Sequence, residues 1–421
     1  MFSRMKGVKD ILPDQIPVWS FVEKTAHEIA RCYGFREIRI PFFEQTDLYV
    51  RGIGGTTDIV EKEMYTFLDR DGTSLTLRPE GTAGVVRAYI EHHLSQTPTA
   101  RKLYYIGPMF RHERPQSGRF RQFHQFGVEA IGSTHPESDV EVITLLWRFF
   151  SSLSLPALRL EINSLGYHSE REQYKKTLLR FLQTVFSSLC QNCHRRMHTN
   201  PLRVLDCKVP SCRLATENAP QLLDYQPSSI HYFQQVLTGL DQLGIPYHIN
   251  PRLVRGLDYY CLTTFEVLCG ELGAQNAIGA GGRYDGLFET LGGPPTPAVG
   301  FAVGLERIIA VLPPSLIPSP PPLVFVAGFG ENGKIAGRHL LEVLRSFGIS
   351  ADTDYQASSL KALLRSAHRY GASHTIILGD DEYQQKHVII RDMQSKQQFI
   401  TPIDSVIQAL QPLLPKRGEP V

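Results

Sequence analysis

The sequence predicts an α/β protein in two folded parts. The first is an α+β part on a largely antiparallel sheet, and the second is a smaller α/β part. Three observations lead to this. Short β-branched and aromatic runs separated by glycines recur between Arg36 and Val303, as strands of an extensive sheet do. Six prolines then crowd into residues 311–322, a run that continues neither a helix nor a central strand. Beyond them, strand-like and helix-like segments alternate, the mark of an α/β domain. The 421 residues are 42% hydrophobic and 20% charged, enough at roughly 150 residues per domain for two or three cores.

In order, strands are expected at 36–43, 103–111, 120–131, 263–268 and 299–303. Residues 166–244 break this texture with helical stretches and carry four of the seven cysteines. They read as a mainly helical insertion in a domain spanning 1–312. Residues 313–322 are the linker. In 323–421, the apolar run 323–327 reads as a buried strand. Ile335, Leu340, Val343, Leu344 and Phe347 recur at helical spacing over 334–347. A second helix fits 358–370, apolar runs follow at 375–378 and 388–390, and Pro402 is placed to open a last helix over 402–414.

Lys plus Arg number 44 and Asp plus Glu 42, a net charge of +2. That balance excludes a polycation coating nucleic acid by bulk charge and an acidic disordered tail. A nucleic-acid partner requires local clustering. Residues 1–10 carry Arg4, Lys6 and Lys9 with no apolar stretch, and no run approaches a membrane span. The odd cysteine count fits reduced thiols, so a cytoplasmic protein without membrane attachment is expected.

Four segments carry chemistry. In Phe110-Arg111-His112-Glu113-Arg114-Pro115-Gln116-Ser117-Gly118-Arg119-Phe120-Arg121-Gln122-Phe123-His124-Gln125, four arginines surround a Pro–Gly turn between strand-like runs, which reads as a hairpin. Guanidinium groups pair bidentately with phosphate, and the interleaved phenylalanines offer surfaces for a base. The second, Arg255-Gly256-Leu257-Asp258-Tyr259-Tyr260, makes a poor core segment, because each polar group needs a partner if buried. The third, Gly279-Ala280-Gly281-Gly282-Arg283-Tyr284-Asp285, reads as a glycine-rich loop allowing close backbone approach, without Walker or dinucleotide flanks. The fourth, Gly300-Phe301-Ala302-Val303-Gly304-Leu305-Glu306-Arg307, runs from a strand into a helix whose first turn bears an arginine, a suitable seat for a nucleotide phosphate.

Taken together and in this order, the segments resemble histidyl-tRNA synthetases of the bacterial type, a class II aminoacyl-tRNA synthetase family, along nearly the whole chain. Arg39-Ile40-Pro41 with Phe42-Phe43-Glu44 is similar to motif 1, which in the family builds a homodimer interface. The arginine hairpin is similar to motif 2 and residues 300–307 to motif 3. The segments at 255–260 and 281–285 are similar to the family's two histidine signatures.

The resemblance implies activation of L-histidine with ATP, then transfer to tRNA(His). It places Arg111 on the ATP α-phosphate, Glu113 on the adenine amino group, Phe123 against the purine, Arg307 at the far end of the triphosphate and Arg119 as a further phosphate ligand. Mg2+ is expected on the triphosphate. Arg255 would bridge the histidine carboxylate and the α-phosphate. Glu80, Thr82 and Gln125 would grip the α-ammonium, Glu129, Tyr260 and Tyr284 would read the ring, and Tyr259 would also belong to the histidine pocket. Arg114 and Gln116 would meet the tRNA acceptor end, and the last domain would bind the anticodon. The other reading is a histidine-sensing paralogue, the regulatory subunit of ATP phosphoribosyltransferase, which lacks that last domain.

Cys190, Cys193, Cys207 and Cys212 follow C-x2-C…x13…C-x4-C, near the spacing of a structural zinc site, with His194 and His198 as spare ligands. The resemblance carries no metal with it, so reduced thiols rather than zinc are the expectation. Arg195, Arg196, Arg203, Lys208 and Arg213 in the same stretch read as a basic patch for the tRNA backbone. Cys32, Cys261 and Cys269 read as ordinary buried thiols.

Overall fold

The computed structural model describes residues 2–55, 57–97, 101–113, 118–225, 227–272, 276–317 and 322–413. It divides into two compact units, Met1–Ile317 and Pro318–Val421.

The first unit is built on an eight-stranded sheet in the order Arg36–Glu37, Lys102–Phe110, Gln122–Ile131, Ala298–Gly304, Ala277–Arg283, Cys261–Cys269, Leu158–Ser164 and His248–Ile249. The six strands between the two short edge strands pair antiparallel throughout. Period-two alternation gives the sheet two distinct faces. Phe126, Val128 and Ala130, Val299 and Val303, and Phe265 and Val267 join one apolar core. Their neighbours Gln125, Glu129, Gly300, Ala302 and Glu266 line a cleft.

Three helices cover the apolar face. Ile16–Cys32 buries Trp19, Val22, Ala26 and Ala30, spaced to form one helical stripe. Pro136–Ser152 contributes Phe149 and Phe150, and Ile230–Gln242 contributes Phe233, Val236 and Leu240. Phe126 meets Phe149 and Phe301 edge-on at centroid distances of 5.1 and 5.6 Å. Residues between Leu165 and Leu222 pack a separate core, which also takes in Val254 and Tyr260. The helices His168–Thr184, Gln191–Thr199 and Pro210–Ala215 supply much of it.

The second unit has a five-stranded mixed sheet, ordered Ala351–Asp352, Val324–Gly328, His374–Leu378, His387–Asp392 and Gln398–Pro402. Val324 and Val326 face one core while Phe325 and Ala327 face another. Burial on both sides is why this strand reads as an unbroken apolar run. Among the described residues, no helix is long and apolar enough to cross a membrane.

Four expectations change. The run 36–43 is not one strand. Arg36–Glu37 pairs with the large sheet, whereas Phe43–Gln45 joins a separate three-stranded sheet with Ser74–Leu77 and Tyr65–Leu68. The break falls at Pro41, which lacks an N–H, and the buried Arg78 guanidinium holds the Ile40 and Pro41 carbonyls at 2.7 and 3.3 Å. The glycine-rich segment is a strand, Ala277–Arg283, rather than a loop, and its glycines make room for neighbours. A Cβ at Gly281 would lie 2.1 Å from the Gly300 carbonyl oxygen. Pro402 ends a strand, and the following helix is only Val406–Leu410. Cys32 is exposed.

Candidate active site

The cleft over the polar face of the large sheet encloses about 450 Å3. Glu80, Thr82, Arg111, Glu113, Arg119, Phe123, Gln125, Glu129, Arg255, Tyr259, Tyr260, Tyr284 and Arg307 all line it. Residues up to 227 positions apart in sequence thus meet in one cavity. Arg114 and Gln116 lie outside the described residues.

One group in the cavity is acidic and hydroxyl-rich. Glu129 is 1% exposed. It accepts hydrogen bonds from Thr82 Oγ1 at 2.7 Å and from the Tyr284 hydroxyl. Burial, only partly offset by these bonds, pushes its carboxyl up to about 8. Glu80 accepts from the Tyr259 hydroxyl at 2.8 Å and from the Ala83 N–H at 3.0 Å, and burial raises it too. Gln125 Oε1 is buried with no hydrogen-bond partner among the described residues, an acceptor left for a ligand donor. Gly300 lies opposite Glu129 in the sheet, and a Cβ there would fall 1.9 Å from Glu129 Oε2. The glycine therefore secures the space in which the carboxylate sits.

The other group is cationic. Arg111 donates from Nε to the Pro79 carbonyl at 2.8 Å and lies 5.5 Å from the Phe123 ring centroid. Arg119 pairs with Glu113 at 2.8 Å. Glu306 accepts from the His124 N–H at 2.8 and 3.0 Å, tying the helix Leu305–Ile309 to the hairpin strand and bringing Arg307 to the cleft. Burial, with Arg119 nearby, works against the Arg307 charge and lowers its pKa, a cost that a bound anion would offset. Arg255 reaches Glu266 at 3.5 Å and lies 5.8 Å from the Tyr260 ring centroid.

Two acids went unrecognised in the sequence. Glu266 is the counter-ion of Arg255; its only signal is a single charge in an otherwise uncharged strand. Asp58 pairs with Arg203 at 2.8 Å, Arg196 at 3.6 Å and Arg195 at 3.8 Å. Of the expected basic patch, Arg196 and Arg203 are therefore largely buried against Asp58, whereas Arg195 stays exposed, as does Lys208, paired with Asp206 at 2.7 Å. Arg213 is exposed.

Paired buried carboxylates beside converging guanidinium groups define a class: an enzyme that seats a small cationic, hydrogen-bonding ligand next to a polyanion. Comparison with known proteins narrows this. Residues 7–308 match the family model described as histidyl-tRNA synthetase, and residues 324–413 match an anticodon binding domain. A histidine–tRNA ligase of Syntrophotalea carbinolica is 47% identical over 97% of this chain and 98% of its own length. That of Desulfatibacillum aliphaticivorans is 45% identical over 98% and 99%. The solved apo histidyl-tRNA synthetase of S. aureus superposes with a TM-score of 0.82 at 37% identity, covering 97% of this chain and 99% of that one. The chain belongs to the histidyl-tRNA synthetase family.

Proposed function

We propose that the cleft binds L-histidine and ATP side by side. The chain is a histidine–tRNA ligase: it forms histidyl-adenylate with release of pyrophosphate, then charges tRNA(His). The observation that carries the arrangement is the meeting of Glu80 and Glu129 with Arg111, Arg119, Arg255 and Arg307 around one cavity.

Glu80 and Gln125 take the α-ammonium. Glu129 and Tyr284 face the imidazole, with Tyr259 and Tyr260 closing the pocket. Arg111 holds the α-phosphate and Arg307 and Arg119 the outer phosphates. Phe123 stacks on adenine and Glu113 accepts from its amino group, for which its pairing with Arg119 must loosen. The histidine carboxylate attacks the α-phosphorus directly, so no general base is required. The bond to the β-phosphate oxygen breaks and pyrophosphate departs with both electrons. Arg255 holds the attacking carboxylate and the α-phosphate together and opposes the charge that develops between them. The tRNA's terminal hydroxyl then attacks the activated carbonyl and AMP leaves. Magnesium, a hard cation that takes phosphate and carboxylate oxygens, would offset triphosphate charge, with Glu266 of the cleft lining as a carboxylate that would hold it.

Exposed Phe42, Phe43, Phe67 and Leu68, all at or beside the three-stranded sheet, support pairing of two copies through motif 1. The 324–413 match supports anticodon binding and favours the ligase over the sensing paralogue. Seven cysteines with no disulfide among them support a reducing cytoplasm.

The test of the histidine pocket is its pH dependence. Free imidazole titrates near about 6.5, and Glu129 near about 8. Between these values Glu129 is protonated and the ring neutral, so the pair holds the one proton its hydrogen bond requires. Below the window both are protonated and one proton must leave. Above it Glu129 is ionised, the ring keeps its one N–H as a donor, and binding must bury a charged carboxylate against an uncharged ring. Calorimetric titration should show histidine binding strongest between about pH 6.5 and 8, falling up to about tenfold per unit on either side. Glu129→Gln, neutral at every pH, should weaken binding and shift the alkaline limb upward. A profile flat from pH 6 to 9 contradicts the assignment.

A further inference from the structure

We infer that Cys190, Cys193, Cys207 and Cys212 hold one structural zinc ion as a four-thiolate site. The four sulfurs come from three pieces of chain. Cys190 precedes the helix Gln191–Thr199 and Cys193 lies in its first turn, Cys207 follows the turn Pro201–Val204, and Cys212 belongs to the helix Pro210–Ala215. All four sulfurs nevertheless lie within 4.8 Å of one another, and Cys190 and Cys207 are 3.9 Å apart. Zinc with Zn–S bonds of about 2.3 Å sets the sulfurs of a tetrahedron about 3.8 Å apart, whereas a disulfide requires about 2.05 Å.

The surroundings suit thiolates. The Cys190 N–H donates to Cys212 Sγ at 3.0 Å, an outer contact of the kind that orients a metal-bound sulfur. The nearby histidines are turned to other uses. His194 stacks on Phe186 at 4.0 Å and bonds its carbonyl through Nε2 at 2.9 Å, and His198 is exposed. A closed set of four sulfurs with no open position is a structural zinc site, not a catalytic one.

The site also has a mechanical consequence. Cys193, Cys207 and Cys212 belong to the small core of residues 165–222, which is shared with Val254 and Tyr260. A core of that size is marginal without a staple. Beside the cysteines, the Leu205 carbonyl and the Thr216 carbonyl and hydroxyl accept from the Arg252 guanidinium at 3.0, 2.8 and 2.7 Å. The metal thus fastens the framework that holds the segment leading into Arg255.

The test reads metal content and does not depend on the reaction. The full chain, purified under reducing conditions without chelator, should contain about one zinc by mass spectrometry of the metal. Cys193→Ser and Cys212→Ser should lose it. Should those variants fail to fold, titrating the wild-type chain with a mercurial should release zinc in step with thiol modification. Growth on cobalt should likewise give the absorption of a tetrahedral thiolate-bound ion. Metal-free folded protein, iron in place of zinc, or disulfides among these four cysteines would overturn the inference.

Discussion

Replacing Arg255 by alanine is expected to abolish amino-acid activation while leaving the fold intact. Arg255 lines the cleft with one carboxylate, Glu266, at 3.5 Å as its internal counter-ion. Burial disfavours its charge and the Glu266 carboxylate favours it, and on balance its pKa is raised. In the reaction the charge to be opposed lies between two anions that would otherwise repel, the histidine carboxylate and the α-phosphate. Removing one preorganised donor from such a site typically costs about 10²–10³ in turnover, and here positioning is lost as well. Arg255→Ala should therefore lower kcat for pyrophosphate exchange by at least roughly 10³-fold, with a smaller change in the histidine KM, the pattern of a group acting chiefly in the transition state. Arg255→Lys should recover little, because an ammonium cannot span both partners as a guanidinium fork does. Exchange within tenfold of wild type in Arg255→Ala would contradict the role.

The largest expected effect on stability lies at Arg283, next to Tyr284 in the same signature but turned to the other side of the sheet. Arg283 and Asp139 are both 0% exposed and pair at 2.5 Å. The guanidinium also donates to the Ser133 carbonyl and to Ser138 Oγ, each at 2.8 Å, and to Asp285 at 3.1 Å. The Tyr232 hydroxyl donates to Asp139 at 3.1 Å. This network joins the strand Ala277–Arg283 to the helix Pro136–Ser152 beneath it. Arg283→Leu leaves the Asp139 carboxylate buried without its cation and should destabilise by about 3–5 kcal/mol. Replacing both residues by leucine should be milder than Arg283→Leu alone, since no charge is then stranded. The two tryptophans, Trp19 and Trp147, both lie in Met1–Ile317, so urea unfolding followed by tryptophan fluorescence reports on this unit by itself. A loss under about 1 kcal/mol would show that the pair is not the anchor described.

These two arginines show what could be read in the sequence and what could not. Both stand in motifs full of charge and glycine, and such composition marks a segment as special without saying which face each residue takes. Strand alternation separates Arg283 from Tyr284, but only once the strand is known, and the glycines at 279, 281 and 282 read as a loop. The hairpin around Arg111 was legible because aromatic runs bracket a Pro–Gly turn. The strands at 324–328 and 374–378 were legible because burial on both faces leaves apolar runs in them, unbroken in the first and Ile376–Leu378 in the second. Glu266 was not legible although it is only eleven positions from Arg255, because no regular helix or strand spacing joins the two. Asp58 was not legible, because its ion pairs span more than a hundred residues and leave no local pattern. For the same reason the basic residues at 195, 196 and 203 suggested an open patch, when their acids lie at 58 and 61. The cysteine spacing was visible, but the convergence of the four sulfurs depends on how three short helical pieces pack.

The central claim is that one cleft selects histidine and activates it with ATP for transfer to tRNA. Pyrophosphate exchange into ATP, measured with each amino acid separately, tests it most directly. Rejection of near-isosteres by a site built on ring hydrogen bonds can reach about 10⁴-fold. Exchange should therefore depend on histidine alone, and addition of tRNA(His) should consume the adenylate and yield charged tRNA. Exchange supported by another amino acid would contradict the reading of Glu129 and Tyr284, and none with any amino acid would contradict the enzyme.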